Sequence, residues 1–374
     1  MQKFIHLFDD EKFIKYAFEA FLKLVEVDNE YICLTDKTKT DHIDFKCQLV
    51  ANAHLKRDDF IEILNQYDLI IIHFLDKKYY DLLRNNKLIP KILWIGWGGD
   101  YYWMIDTLKN FTVYKPKTLA LNSKIKWLPN FGFLTDCIKK IRREKQVKIL
   151  NRINYFAPVL IDDYELIVKN NPVFKPKYFS WNYGSLEDNY IKGLESFQVS
   201  GKDILIGNSA TRTNNHLDIL LQLKSVELVN SKIIIPLNYG DLNYGKTIAN
   251  EAKCLFADKV EVINNYLPYD KYLDIVKNCS NVFMGHIRQQ ALGNIITLLY
   301  FGSKIFFFKE SVTYIFLLKA NIKVYLIEDF VKEPKKFDFI FSVEELNQQR
   351  NNLLKIWGRD INSFKTKSVL ELVK

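Results

Sequence analysis

Short apolar runs alternate with longer amphipathic stretches along most of the chain, the pattern of βαβ units on a parallel sheet. In the first half, residues 3–8 read as a strand and 12–25 as a helix with Phe13, Ala17, Phe21 and Leu22 on one face. Strands follow at 30–34, 69–74 and 91–95, the second carrying an unbroken Leu-Ile-Ile-Ile, and 153–157 with 159–170 repeats the strand–helix step. The second half restarts the rhythm. Strands at 203–206, 232–236, 260–263, 281–284 and 304–308 alternate with helices at 215–223, 244–256, 269–277 and 290–300. The polar, glycine-containing stretch 196–202 separates the halves, and 342–374 reads as polar helix. The pattern predicts an α/β protein of two Rossmann-like domains, 1–198 and 199–374, facing across a cleft, with terminal helices able to cross back.

The length, 374 residues, supports two cores, and 27 Phe, 21 Tyr and 6 Trp supply side chains to fill them. A composition of 48% hydrophobic and 26% charged residues excludes a disordered or collagen-like chain. Lys and Arg exceed Asp and Glu by 53 to 44, which favours an anionic partner. Five dispersed cysteines without a C-x-x-C pair read as reduced thiols, and the histidine spacings offer no zinc motif. Acidic residues at 9–11 exclude a signal peptide, and no apolar run reaches the ~20 residues a spanning helix needs. A cytoplasmic protein, soluble or resting on a membrane, is expected.

Ligands of open α/β sheets bind beyond the carboxyl ends of strands, so the residues after each strand carry the candidate chemistry. After 203–206 come Gly207, Asn208, Ser209, Ala210, Thr211, Arg212, Thr213 and Asn214. Small residues let main-chain amides approach an anion, a helix start adds positive potential, and Arg212 can fork onto a diphosphate. An ordinary capped turn also explains Ser, Thr and Asn there. After 281–284, Gly285 and His286 lead to Arg288, Gln289, Gln290 and Gly293, a cation and two amides at a helix start. After 91–95, Trp97, Gly98, Gly99, Asp100 and Tyr101 form a glycine loop beside a flat ring, suited to a sugar. Asp100 could orient or deprotonate a hydroxyl, or simply cap the next turn. His6 and His73 lie on neighbouring strands and read either as core residues or as alternative bases. Tyr266 and Leu267, after 260–263, could meet a base, although a helix started by Pro268 explains them as well.

Lys139, Lys140, Arg142, Arg143, Lys145 and Lys148 follow a stretch containing Trp127, Phe131, Phe133 and Leu134. Such a run suits an anionic membrane surface, or is a solvated helix face. No nucleic-acid recognition motif accompanies it.

The order of these strings resembles one family. Trp-Ile-Gly-Trp-Gly-Gly-Asp-Tyr-Tyr, Gly-Asn-Ser-Ala-Thr-Arg-Thr-Asn-Asn-His, Ile-Ile-Ile-Pro-Leu-Asn-Tyr-Gly and Arg-Gln-Gln-Ala-Leu-Gly-Asn are similar to those of the bacterial 4-acetamido-4,6-dideoxygalactose (Fuc4NAc) transferases, glycosyltransferase family 56. The resemblance runs with gaps from His6 to about Leu326. It implies a GT-B fold without a bound metal or cofactor, a dTDP-sugar donor ahead of a UDP-sugar, and a lipid-linked (undecaprenyl-diphosphate) saccharide acceptor at the inner membrane. It also implies donor roles for Gly207, Asn208, Ser209, Arg212, Asn214, His216, Arg288, Gln289, Gln290 and Gly293. Gly98 and Asp100 match the family's Trp-Gly-x-Asp loop, and His6 and His73 match its first-domain histidines. The chain has no D-x-D for a metal-bound diphosphate, so arginines and helix starts would meet that charge. A nucleotide-sugar epimerase of the same two-lobed shape, or a non-catalytic nucleotide- or glycan-binding module, are the alternatives.

Overall fold

The computed structural model describes all residues of the chain except 12, 106–110, 124–131, 229 and 266; the side chains at 122–123, 132–140 and 269–270 also lie outside the description. Two compact units emerge. The first comprises Met1–Leu108, Asn130–Asn189 and Trp357–Lys374; the second comprises Lys109–Pro129 and Tyr190–Ile356.

The first unit is built on β1 (Gln2–Phe8), β2 (Val27–Leu34), β3 (Gln48–Val50), β4 (Leu69–His73), β5 (Lys91–Ile95), β6 (Tyr155–Ala157) and β7 (Lys177–Tyr178). They form one parallel sheet in the order β3-β2-β1-β4-β5-β6-β7. Parallel strands covered on both faces need continuous apolar runs, and β4 shows why this sequence complies: Leu69, Ile70, Ile71 and Ile72 are all fully buried. Each such burial stabilises the fold by roughly 1.5–3 kcal/mol.

The second unit uses β8 (Asp203–Ile206), β9 (Ile233–Pro236), β10 (Val260–Ile263), β11 (Cys279–Phe283), β12 (Lys304–Phe307) and β13 (Tyr325–Leu326). Again the sheet is parallel, in the order β10-β9-β8-β11-β12-β13. Phe283 stacks on Phe306 at 4.9 Å, and Phe330 and Phe337 close edge-on against Phe306.

Several boundaries differ from the sequence expectations. The units divide at Asn189/Tyr190 rather than at 198/199. The stretch 196–202 is packed: Val199 donates its amide to Phe301 (2.8 Å), and Phe197 sits edge-on against the Phe301 ring. The terminal helices part company, Val343–Trp357 lying almost wholly in the second unit and Arg359–Lys367 in the first. Left-handed residues move two helix starts: Asn215 (φ 52°) delays one to His216, and Ala291 (φ 56°) delays the other to Leu292. Asp241 instead advances a start to Leu242 by accepting the amides of Asn243 and Tyr244. The short edge strands β3, β7 and β13 lack enough residues to show a period.

Candidate functional site

In each sheet the chain winds outward one way, then returns to the other side of its first strand. In the second unit that switch lies between β8 and β11. The two strings singled out as donor-side follow these two strands, so topology alone brings them together.

Asn214, fully buried, is the hub. Its Oδ1 accepts the Asn208 amide (3.0 Å) and His286 Nε2 (2.7 Å), and its Nδ2 donates to the carbonyls of Ser209 (3.0 Å) and Thr211 (3.1 Å). Gln290 crosses the same gap, giving Nε2 to Asn208 Oδ1 (3.1 Å) and accepting from Thr213 Oγ1 (2.5 Å). Gly207 has φ 67°, and a Cβ there would stand 2.5 Å from His216 Nε2 and 2.7 Å from Asn214 Oδ1. Glycine is therefore required twice over, by backbone and by space. His216 meets Tyr244 through Nδ1 (3.2 Å), and burial drives its pKa down to about 3. Burial likewise holds His286 well below the ordinary range, so both rings are neutral near pH 7.

Main-chain amides were expected to cradle the diphosphate around Asn208–Thr211; three of those four are taken up within the protein. The Asn208 amide serves Asn214, that of Ala210 serves the Tyr239 carbonyl (2.7 Å), and that of Thr211 serves the Ser209 carbonyl (2.8 Å). The Ser209 and Thr211 hydroxyls bond each other. The loop is largely closed on itself, and the positive charge that can meet an anion lies in its arginine side chain. Arg212 is half-buried, held by Asp241 (3.0 Å) and lying over the Tyr244 ring (5.4 Å). Arg288 is half-buried and points Nη1 toward the Gln289 carbonyl (3.4 Å); Gln289 is buried. Gly293 lies in the first turn of the helix Leu292–Tyr300, where a Cβ would press on the Tyr190 ring at 2.9 Å. That first turn presents main-chain N–H groups with no intrahelical acceptor.

Sequence reasoning passed over three members of this cluster. Tyr239 receives Asn208 Nδ2 at 2.6 Å, Asp241 orients Arg212, and His286 closes on the hub. Tyr239 and Asp241 follow β9; Tyr239 lies within the Ile-Ile-Ile-Pro-Leu-Asn-Tyr-Gly string but was given no role, and Asp241 lies just beyond it. Leu267 is half-buried after β10, away from the hub, and Tyr266 lies outside the described residues.

Beside the second string lies a cavity of about 630 Å³, lined by Phe111, Tyr114, Lys115, Leu119, Ile287 and Glu310 among others. Residues 111–123 reach it because Asn215 accepts the Lys115 amide (2.8 Å) and Asp218 accepts those of Lys117 and Thr118 (2.9 Å each).

In the first unit, Asp100 is buried and fully engaged. Oδ1 accepts the Trp97 amide (2.9 Å); Oδ2 accepts the Leu75 amide (3.1 Å) and Trp94 Nε1 (2.8 Å). Burial pushes its pKa up to about 6 against those donors. Its place is to fold the glycine loop, not to meet an acceptor hydroxyl, which corrects the expected base. Tyr101 is also buried, donating to Asp163 (2.6 Å), as Tyr102 does, so its ring is no acceptor contact. Trp97 remains half-exposed, Gly98 takes φ 95° and Gly99 is exposed beside the Phe74 ring.

His6 and His73 are buried and bonded, Nδ1 to Nε2 at 3.0 Å. Their outer partners set a direction: Tyr183 O–H to His73 Nδ1 (2.6 Å), His73 Nε2–H to His6 Nδ1, His6 Nε2–H to Asn29 Oδ1 (3.2 Å). Asn29 Nδ2 in turn donates to the Phe21 carbonyl (3.3 Å). Both rings are neutral links, burial lowering His6 to about 4 and His73 well below the ordinary value. Neither is a solvent-facing base.

On the helix Gly132–Leu150, Arg142, Lys145 and Lys148 are exposed and Arg143 is half-buried; the side chains of Lys139 and Lys140 lie outside the described residues. No described helix is long and apolar enough to cross a membrane.

The family model described as 4-alpha-L-fucosyltransferase, glycosyl transferase group 56, matches residues 184–354. Over that segment the chain is similar to glycosyltransferase group 56. Both donor-side strings of this glycosyltransferase lie inside the match, as do Tyr239, Asp241 and His286. The match begins later than the resemblance read from His6 and extends past Leu326. Among solved structures, a glycosyltransferase from Rickettsia africae ESF-5 is similar at TM-score 0.63 and 12% identity, over 100% of this chain and 98% of that one. Sucrose-phosphate synthase from Thermosynechococcus elongatus aligns at TM-score 0.62 and 8% identity, over 100% and 99%. A putative UDP-N-acetylglucosamine 2-epimerase from Listeria monocytogenes aligns at 0.53 and 9%, over 100% and 97%. At such identities the likeness is one of fold, and the fold is GT-B.

Proposed function

We propose that this glycosyltransferase moves a 4-acetamido-4,6-dideoxyhexose from a dTDP-linked donor to a lipid-linked saccharide, at the cytoplasmic face of the inner membrane. The observation that carries the reading is the meeting of the two donor-side strings across the β8/β11 switch, inside the matched segment. Arg212 and Arg288 would neutralise the diphosphate, helped by the first turn of Leu292–Tyr300, with no metal required. Gln289 and Gln290 would hold the sugar. The Asn214 hub holds this set in place before substrate arrives, so little reorganisation remains for the reaction. The apolar wall of the adjoining cavity suits the methyl groups of a deoxy, acetylated sugar. Trp97, Gly98 and Gly99 in the first unit would receive the acceptor saccharide. Exposed cations on Gly132–Leu150, at about 1 kcal/mol each near an anionic leaflet, favour peripheral membrane binding.

A thermal-shift panel of dTDP-, UDP- and GDP-sugars tests the donor. A true ligand at 100 times its Kd adds about 2.7 kcal/mol of stability. The reading expects dTDP-sugars to lead, and Arg212→Ala and Arg288→Ala to abolish the shift. Equal shifts in both variants would remove the diphosphate assignment, and a leading GDP-sugar would remove the donor.

A further inference from the structure

The first sheet has its own switch point. After β1 the chain builds outward through β2 and β3, then returns to lay β4 on the opposite side of β1. The crevice of an open parallel sheet forms at that point, beyond the carboxyl ends, so residues directly after β1 and β4 face it. Those residues include the carboxylates Asp9, Asp10 and Asp76, and two of these serve as caps. Asp10 accepts the amides of Asp41 (2.5 Å) and His42 (2.9 Å), and Asp76 accepts the amide of Lys78 (2.8 Å).

Asp9 differs. Its Oδ1 accepts Lys78 Nζ, while Oδ2 has no hydrogen-bond partner among the described residues. The carboxylate side chain is 32% exposed and that of Lys78 is 19% exposed. One oxygen is thus pinned from across the switch point and the other is open. Phe13, Trp97 and Phe74 bring aromatic edges together at the same strand ends (5.6 and 5.4 Å), a surface on which a sugar ring can lie. Asp100, His6 and His73, by contrast, have every relevant polar atom committed.

We propose that Asp9 is the catalytic base of the transfer and that Lys78 orients it. This rests on the reading that the first unit receives the acceptor. Asp9 Oδ2 takes the proton as the acceptor O–H bond breaks. The acceptor oxygen forms the new bond to the anomeric carbon. The bond from that carbon to the diphosphate oxygen breaks, and its electron pair leaves with the nucleoside diphosphate.

Lys78, Asp76, Tyr79 and Cys33 are the titratable groups facing Asp9. Desolvation raises its pKa more than Lys78 lowers it, which moves a carboxylate toward useful basicity.

The test uses the full chain with dTDP-4-acetamido-4,6-dideoxygalactose and a farnesyl-diphosphate-linked disaccharide. Rates are followed from pH 5 to 9, with dTDP affinity measured on every variant. Asp9→Asn should lower kcat by roughly 10²–10⁴-fold, the usual worth of a positioned base, and leave dTDP affinity within about twofold. Lys78→Met should move the acid limb of kcat to higher pH, because the cation favouring the carboxylate is gone. An Asp9→Asn variant that transfers at near wild-type kcat overturns the assignment. Should that variant misfold, an unmoved acid limb in Lys78→Met overturns it instead. A wild-type protein that binds no sugar nucleotide brings down the donor reading, a result separable from the loss of Asp9 alone.

Discussion

Gly207 and Gly193 form a matched pair for measuring what the donor-side hub contributes. Both lie in the second unit and both have positive φ, 67° and 77°. A Cβ at Gly193 meets nothing within 4 Å, whereas one at Gly207 would lie 2.5 Å from His216 Nε2 and 2.7 Å from Asn214 Oδ1. Gly193→Ala therefore carries only left-handed strain, about 1–2 kcal/mol, partly offset by ~0.4–1 kcal/mol of lost unfolded-chain freedom. Gly207→Ala carries the same strain and must also displace one of two fully buried side chains. If Asn214 gives way, the Asn208 amide and His286 Nε2 lose their acceptor, at about 1–3 kcal/mol each. The two variants should then differ by at least ~2 kcal/mol, which is roughly 4–8 °C in Tm for a unit of this size. Thermal melts with and without a dTDP-sugar read both effects. Gly207→Ala should melt well below Gly193→Ala and show no nucleotide shift. Equal melting temperatures, with binding retained in both, would refute the hub.

Asp100→Asn turns an acceptor of three N–H groups into a group that also donates, so it should destabilise the first unit by roughly 2–4 kcal/mol. Denaturation curves check this, and the earlier idea of a simple base predicts an unchanged fold. The buried neutral histidines set an acid limb of stability. His6 at about 4 and His216 at about 3 lie below the ordinary 6.5, so their contribution is complete above pH 6.5 and is lost as pH falls, about 2 kcal/mol each by pH 5. His6→Gln should lose about 2 kcal/mol less than wild type between pH 8 and pH 5 in urea melts. Asp163, raised to about 7 by burial, acts in the opposite sense: stability tied to it falls as pH rises from about 4 toward 7, and Asp163→Asn should remove that slope. Charge reversal of Arg142, Lys145 and Lys148 together should weaken sedimentation with anionic vesicles by about 3 kcal/mol or more at low salt; binding unchanged by the reversal or by salt would dismiss the membrane face.

What was legible in the chain was legible for a physical reason. Buried parallel strands must be apolar throughout, so Leu69–His73, Ile233–Pro236 and Cys279–Phe283 lie where apolar runs pointed. The strand-end rule then located Gly207–Asn214 and Gly285–Gly293, whose convergence at one switch point needed only the strand order. The bonding within those loops was not legible. Whether an amide at Asn208 or Ala210 faces a ligand or a neighbouring carbonyl depends on loop closure by Asn214 and Tyr239, residues distant in register with no periodic signature. Asp100 misled because Asp after a glycine turn suits a base and a loop-closing acceptor equally well; only its three N–H donors separate the two. Asp9 sat in a short acidic run that, in the sequence, served only as evidence against a signal peptide.

The carboxylates of the first unit show how burial assigns roles. Asp100, Asp163 and Asp9 all have raised pKa values, each with desolvation as the leading cause. A raised pKa alone therefore cannot single out a base, because a structural acceptor sealed from water is raised in the same way. The distinction lies in unfilled valence. Asp100 meets three N–H groups and Asp163 two phenols, so both oxygens of each are already occupied and neither is left to receive an acceptor hydroxyl. Asp9 keeps one oxygen open while its cation partner steadies the other, so protonation there disrupts nothing. The same logic separates Arg212, which the exposed carboxylate of Asp241 holds over the Tyr244 ring, from the closed Asn214 hub. A polyanion can displace a single surface carboxylate at little expense, since an exposed ion pair contributes about 0–1 kcal/mol. Prying open the buried hub would leave several amides unpaired. Asp241→Asn should therefore tighten dTDP binding by weakening the competing hold on Arg212, where loss of affinity would instead make Asp241 part of the scaffold.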